Sequence, residues 1–206
     1  MKHAIRLTLS AIALVVAGAA SAQQAAPSAA IRATIVSVAD EGASLIVHRR
    51  SGEMATIRLK PDARVALVLP ASLADVKPGL FVGVAALPGQ DGALKAMEVH
   101  IFPEAMRGAG EGFRPFDLAP GSTMTNGAIE ARVDGVAGPK LTVTYKGGQQ
   151  TIDIAANTPI VMLAPGARSD LKPGAAMIAR GATAGADGVY EAGYVVVGKD
   201  GLTPPM

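Results

Sequence analysis

The chain has 206 residues, no Cys, no Trp, three Tyr and four Phe, with a formal net charge of +2. The absence of Cys excludes disulfides, thiolate metal sites and a lipid-modified N-terminal Cys, so a fold in an oxidising compartment must be held by its own core. Lys2 and Arg6 account for the whole of the +2; the remaining charges are balanced and interspersed, without the basic stripe or the aromatic platforms that nucleic-acid binding needs.

Residues 1–22 read as a signal peptide. Lys2 and Arg6 form a charged start, Leu7 to Ala20 an apolar run, and Ala20-Ser21-Ala22 a small-x-small cleavage site. The apolar run is shorter than the roughly 20 residues that span a bilayer. The expected product is therefore exported, to the periplasm or beyond, with no membrane span in the mature chain. Residues 23–31, small and Ala-rich, read as a flexible lead-in.

From Arg32 onward, short apolar runs alternate with turn residues. The runs are Ala33 to Val38, Leu45 to His48, Ala55 to Leu59, Val65 to Leu69, Leu80 to Ala85 and Ala93 to Val99. Six strands at this spacing, with Gly or Pro between them and little helical periodicity, predict a small antiparallel barrel or sandwich. The same order returns in Ile129 to Val133, Leu141 to Tyr145, Thr151 to Ile154, Pro159 to Leu163, Ala175 to Arg180 and Val189 to Val197.

Three anchors recur in one order at a separation of about 95 residues, the signature of an internal repeat. Asp75-Val76-Lys77-Pro78-Gly79 matches Asp170-Leu171-Lys172-Pro173-Gly174, Leu45-x-Val47 matches Leu141-x-Val143, and Asp91-Gly92 matches Asp187-Gly188. Pro-Gly suits a type II turn, whose third residue needs positive φ. The preceding Asp can bond its own turn, and Asp-Gly suits a tight hairpin. These anchors are read as fold-building residues.

With those features the chain resembles a family of small bacterial exported β-barrel domains, OB-like in shape and of unknown function. The resemblance covers Arg32 to Val99 and Ile129 to Val197. It rests on a Gly/Ala-x-Ile/Val first strand, the Leu-x-Val second strand, the Asp-Leu-Lys-Pro-Gly turn, Thr158-Pro159-Ile160 and the late Asp-Gly; the first copy departs at Asp62-Ala63-Arg64-Val65. It implies a fold and transfers no catalytic residue. The expected architecture is all-β: two tandem OB-like barrel modules, residues 32–99 and 128–198, joined by a long ordered connector, residues 100–127, and followed by a tail, residues 199–206.

The connector holds Phe102, Phe113 and Phe116, stiffened by Pro103, Pro115 and Pro120. A loose tether would be Ser/Gly-rich and free of aromatics, and long ordered loops are commonly functional or fill a gap. The Phe side chains are expected to pack against the barrels, the alternative being an exposed patch for a partner. His100, Arg107, Glu111, Phe113, Arg114, Phe116 and Asp117 are the candidate ligand- or partner-binding residues, with a small ligand or another envelope protein as the partner. Met97, His100, Met106 and Met124 form an alternative soft-metal set, since thioethers with imidazole suit copper(I); packing explains the Met residues equally simply.

Catalytic signatures are missing. There is no Gly-x-Ser-x-Gly elbow, Walker loop or His-Glu-x-x-His. A Ser-His-Asp site would have to use His48 or His100 as its base. No cofactor is expected, and the predicted function is non-enzymatic binding or scaffolding, the alternative being copper handling and a third reading a hydrolase with an unrecognised site.

Overall fold

A computed structural model describes residues 29–89, 93–136, 138–185 and 187–205. The signal-peptide residues and Asp91-Gly92 lie outside the described residues. The first half contains β1 (Ala29–Ala39), β2 (Ser44–Arg49), β3 (Met54–Pro70), β4 (Phe81–Pro88) and β5 (Leu94–Ile101). A short β6 (Gly112–Pro115) follows. The second half contains β7 (Thr123–Val133), β8 (Lys140–Tyr145), β9 (Gly148–Asp153), β10 (Ile160–Gly166), β11 (Ala176–Ala184) and β12 (Tyr190–Gly198). The fold is all-β: only 3-10 turns interrupt the strands among the described residues.

The two halves do not close separately. β1, β2 and β3 form a ring with β11 and β12: β1 pairs with β2 and β11, β12 pairs with β11, and β3 closes the ring in parallel with β12. This is a closed five-strand barrel. β7, β8 and β9 in turn meet β4 and β5, and two parallel pairs, Leu94–Ile152 and Lys95–Asp153, join β5 to β9. Each ring takes three strands from one half and two from the other. Between the rings, β3 runs antiparallel to β10 with Val68 opposite Leu163.

The reason lies at the Pro-Gly turns. Gly79 and Gly174 take φ of +85° and +86°, as a type II turn requires. Asp75 Oδ2 accepts from the Ser72 amide and Asp170 Oδ2 from the Ala167 amide, each at 2.8 Å. The turn then bonds across to the other half: Gly79 N–H donates to the Ile129 carbonyl and Gly174 N–H to the Ile35 carbonyl, both at 2.8 Å. The anchors build these turns, and the turns direct β4 and β11 into the opposite ring.

Three apolar clusters follow from this arrangement. Ile35, Leu45, Val47, Ile57 and Val195 fill the first ring. Val82, Val84, Val99, Leu141 and Ile152 fill the second. Ala66, Val68, Phe81, Phe102, Val161, Leu163, Ile178 and Val196 fill the junction between them. Burial of these side chains, at roughly 25 cal/mol per Å² of apolar surface, holds a chain that has no disulfide.

Two expected boundaries move. The lead-in gives way to strand at Ala29, because Ile31 is a buried core residue whose backbone pairs with Ala179. The connector is not an interval between modules: it carries the end of β5, all of β6 and the start of β7. The strands expected over Ala55 to Leu59 and Val65 to Leu69 are one continuous strand, β3.

Candidate functional site

β5, β4, β7 and β6 lie side by side, and their register aligns two rows of residues. One row is His100, Gly83, Asn126 and Gly112. The next is Glu98, Ala85, Met124 and Arg114. Successive side chains in a strand point to opposite faces, so both rows occupy one face, while Val82, Val84 and Val99 point into the ring behind it. This face looks onto the junction.

Glycine and alanine in the middle of these rows make room. A Cβ on Gly83 would sit 2.0 Å from His100 Nε2. The imidazole lies over bare backbone, edge-on to Phe102 at 4.8 Å between ring centroids. The repeat makes this arrangement specific to one copy. Gly83 faces His100 where the second copy has Ile178 facing Val196, and Ala85 faces Glu98 where it has Arg180 facing Tyr194.

Above the face lies a cavity of about 210 Å³. Its polar lining is His100, Asn126, Arg114, Arg180 and Tyr194, and its apolar lining includes Phe102, Met106, Phe116, Leu163 and Val196. The segment from Phe102 to Ser122 forms one wall and is tied down repeatedly. Asn126 Nδ2 donates to the Ala109 carbonyl at 2.9 Å, and Arg114 Nη1 to the Gly110 carbonyl at 2.6 Å. Arg32 donates both Nη groups to Asp117 at 3.0 Å, and Ser122 Oγ donates to the Phe116 carbonyl at 3.0 Å. Arg180 stacks over the Phe116 ring, 5.4 Å from its centroid.

Several buried polar atoms around this cavity have no hydrogen-bond partner among the described residues. They are His100 Nδ1, Asn126 Oδ1, the Tyr194 hydroxyl and both oxygens of Glu98. Buried polar groups in folded proteins are nearly always paired, so such a concentration marks a site. Glu98 is completely buried. Burial raises its carboxyl from the ordinary 4.5 to about 7, with Arg180 and then Arg32 opposing the rise. Burial lowers the His100 imidazole from 6.5 to about 3, and Arg180 and Arg114 push it the same way. His100 Nδ1 and Glu98 Oε1 are 3.8 Å apart. His100 is nevertheless neutral at ordinary pH, so they do not form an ion pair.

The structure sorts the sequence candidates. His100, Arg114 and Phe116 line the cavity together, as do Met106 and Met124. Met97 is half-buried and does not line the cavity. Arg107 turns away, pairing with Glu104 and donating to the Gly79 carbonyl at 2.9 Å. Glu111 accepts from the Lys146 amide at 3.0 Å, at the surface. Asp117 is held by Arg32, which keeps its carboxyl below the usual range. Phe102 packs in the junction with Phe116 against it, whereas Phe113 is 43% exposed. His48 is an exposed strand residue. Glu98, Asn126, Arg180 and Tyr194 were not candidates. For Glu98, Arg180 and Tyr194 the signal is the repeat itself, which sets Glu98 against Tyr194 and Ala85 against Arg180; Asn126 lies outside both copies and carried no such signal. Among the described residues no cluster of three or more His, Asp or Glu could hold a metal, and no helix is long and apolar enough to cross a membrane.

Comparison with protein-family models, with curated proteins and with solved structures found no match.

Proposed function

We propose that this is an exported binding protein whose duplicated, OB-like barrels hold a small ligand in the cavity at their junction. The observation that carries this reading is the set of partnerless polar atoms on residues lining one cavity: His100 Nδ1, Asn126 Oδ1 and the Tyr194 hydroxyl. A polar occupant would satisfy them, and the cavity is smaller than the roughly 300–1,000 Å³ of drug-sized sites. Export is supported by the charged, apolar and small-x-small order of residues 1–22. An OB-like type is supported by the five-strand closure, and the recurring turns support duplication. Binding is favoured over acyl transfer because no Ser or Thr lines the cavity among the described residues, and Ser122 Oγ is engaged with the carbonyls of Phe116 and Ala119.

The test is a fragment screen by ligand-observed NMR on the purified protein and on Ala109→Trp, which fills the cavity from its connector wall. Fragments that bind the parent and lose binding in the folded variant support the reading. Fragments that bind both alike place the site elsewhere.

A second reading, soft-metal handling, is favoured by one observation: His100, Met106 and Met124 line the same cavity. Arg114 and Arg180 on the same walls act against a cation there. Titration with copper(I) under reducing conditions tests it; micromolar binding that disappears in Met106→Ala would favour the metal over the ligand.

A further inference from the structure

We infer, taking the junction cavity as the ligand site proposed above, that its occupant is a small neutral hydroxyl compound, an alcohol or phenol, whose O–H bridges His100 and Asn126 over Gly83 while its apolar body lies against Phe102, Phe116 and Leu163.

Asn126 sets what the occupant must donate. Its Nδ2 is engaged with the Ala109 carbonyl at 2.9 Å, so the other end of the amide is Oδ1, an acceptor left without a donor. Asn126 is 4% exposed and His100 3%, so neither can turn to bulk water instead. A buried acceptor left unpaired costs stability, and an O–H in the cavity removes that cost.

His100 supplies the matching donor. Its ring reaches across Gly83, with Nε2 the ring atom nearest to the place a Cβ would take, and Asn126 pairs with Gly83 from the far side. Behind the ring stands Glu98, its Oε1 3.8 Å from Nδ1. The Glu98 carboxyl holds its proton up to about 7, and a carboxylic acid can donate that proton. Directed at Nδ1, it leaves the imidazole hydrogen on Nε2. Closing the gap to a hydrogen bond needs a shift of roughly 1 Å. A hydroxyl in the cavity then completes one chain. Glu98 donates to His100 Nδ1, His100 Nε2–H to the hydroxyl oxygen, the hydroxyl to Asn126 Oδ1, and Asn126 Nδ2 to the Ala109 carbonyl. The middle place calls for a group that accepts and donates at one atom, which an ether or an ammonium cannot do.

The charges near the cavity favour a neutral occupant. Glu98 and Asp117 both act on Arg180 in favour of its charge, and Asp117 is held in turn by Arg32. An anion would compete with those carboxyls for Arg180, and a cation would approach the guanidinium itself. A buried charge without its own partner is costly. The apolar lining of Phe102, Met106, Leu163 and Val196 separates an organic hydroxyl from water alone, since those side chains gain from an apolar body. The repeat points the same way. The second copy sets Ile178 against Val196 where the first sets Gly83 against His100. One copy has opened and polarised a contact that the other keeps closed.

The experiment titrates the purified protein with phenol, with toluene (the same size without the O–H), with benzoate and with benzylammonium, by calorimetry and by NMR of the Asn126 side-chain amide and the His100 ring nitrogens. Phenol is expected to bind at least about tenfold more tightly than toluene, the discrimination expected when a buried acceptor otherwise stays unpaired. It should also bind more tightly than either ion, with the His100 hydrogen on Nε2 in the bound state. Asn126→Leu should erase the advantage of phenol over toluene; if that variant does not fold, the comparison on the parent and its His100 nitrogen shifts decide. Toluene binding as tightly as phenol, an advantage that survives in Asn126→Leu, or a bound His100 with its hydrogen on Nδ1 overturns the hydroxyl assignment and leaves the cavity a ligand site. Benzoate or benzylammonium binding more tightly than phenol overturns the neutral assignment in the same way. If none of the four, and no fragment of any charge, shifts the cavity residues, the ligand-site reading falls as well.

Discussion

Replacing Glu98 with Gln removes the one carboxyl that is completely buried among the described residues and has no hydrogen-bond partner there. Its effect on stability should depend on pH with a definite sign. In the folded protein the Glu98 carboxyl holds its proton up to about pH 7, against an ordinary 4.5. Between those values the folded state binds more protons than the unfolded state, so stability falls as pH rises. At 1.36 kcal/mol per pH unit the full loss is about 3 kcal/mol, complete above about pH 7. His100 acts in the opposite sense. Folded, it stays neutral down to about 3, whereas unfolded it takes a proton below 6.5, so its contribution rises with pH up to 6.5. From about pH 4.5 to 6.5 the two nearly cancel, and the parent protein should show a flat contribution from this pair. Glu98→Gln leaves His100 alone. The variant should therefore gain about 3 kcal/mol on the parent between about pH 4.5 and pH 8, equivalent to about 6–12 °C in melting temperature for a chain of this size. Urea unfolding of both proteins at the two pH values measures it. A stability difference that is the same at both would show that Glu98 titrates normally, and would refute its assignment as a buried, partnerless carboxyl.

Other substitutions separate the roles along the junction. Phe116→Ala should cost about 1–2 kcal/mol in urea unfolding because its ring is half-buried under Arg180, while Phe113→Ala, exposed, should stay within about 0.5 kcal/mol. Gly83→Ala should lose about 1–3 kcal/mol and displace the His100 ring, since the new methyl would meet Nε2 at 2.0 Å; unchanged His100 NMR shifts would contradict the packing described. A double-mutant cycle on Arg32 and Asp117 should give a coupling of about 0.5–1 kcal/mol that weakens with added salt, as Asp117 is half-exposed.

The sequence disclosed the strands more fully than their partners. Alternation and turn residues place nearly every strand, because period-two patterning is a local property. Which strands share a ring is set by hydrogen bonds such as Gly79 to Ile129, across some fifty residues, and no local pattern encodes that. The expectation of tandem modules followed from chain order, and the exchange of strand pairs between halves is what chain order cannot reveal. The site divides in the same way. His100, Arg114 and Phe116 stood out because the connector is short of reasons to hold them. Glu98, Asn126, Arg180 and Tyr194 sit inside strands, where one polar residue reads as a solvent-facing position. Only the register, with Gly83 between His100 and Asn126, turns them inward.

The most direct test of the junction cavity as a binding site is a titration of the purified protein with a fragment that binds in the ligand-observed NMR screen, followed through the NMR resonances of His100, Asn126 and Tyr194, alongside the same titration of Ala109→Trp. Saturable shifts at these residues in the parent, absent in the variant, are the predicted result. Shifts confined to other parts of the surface, or shifts that persist with the cavity filled, would contradict it.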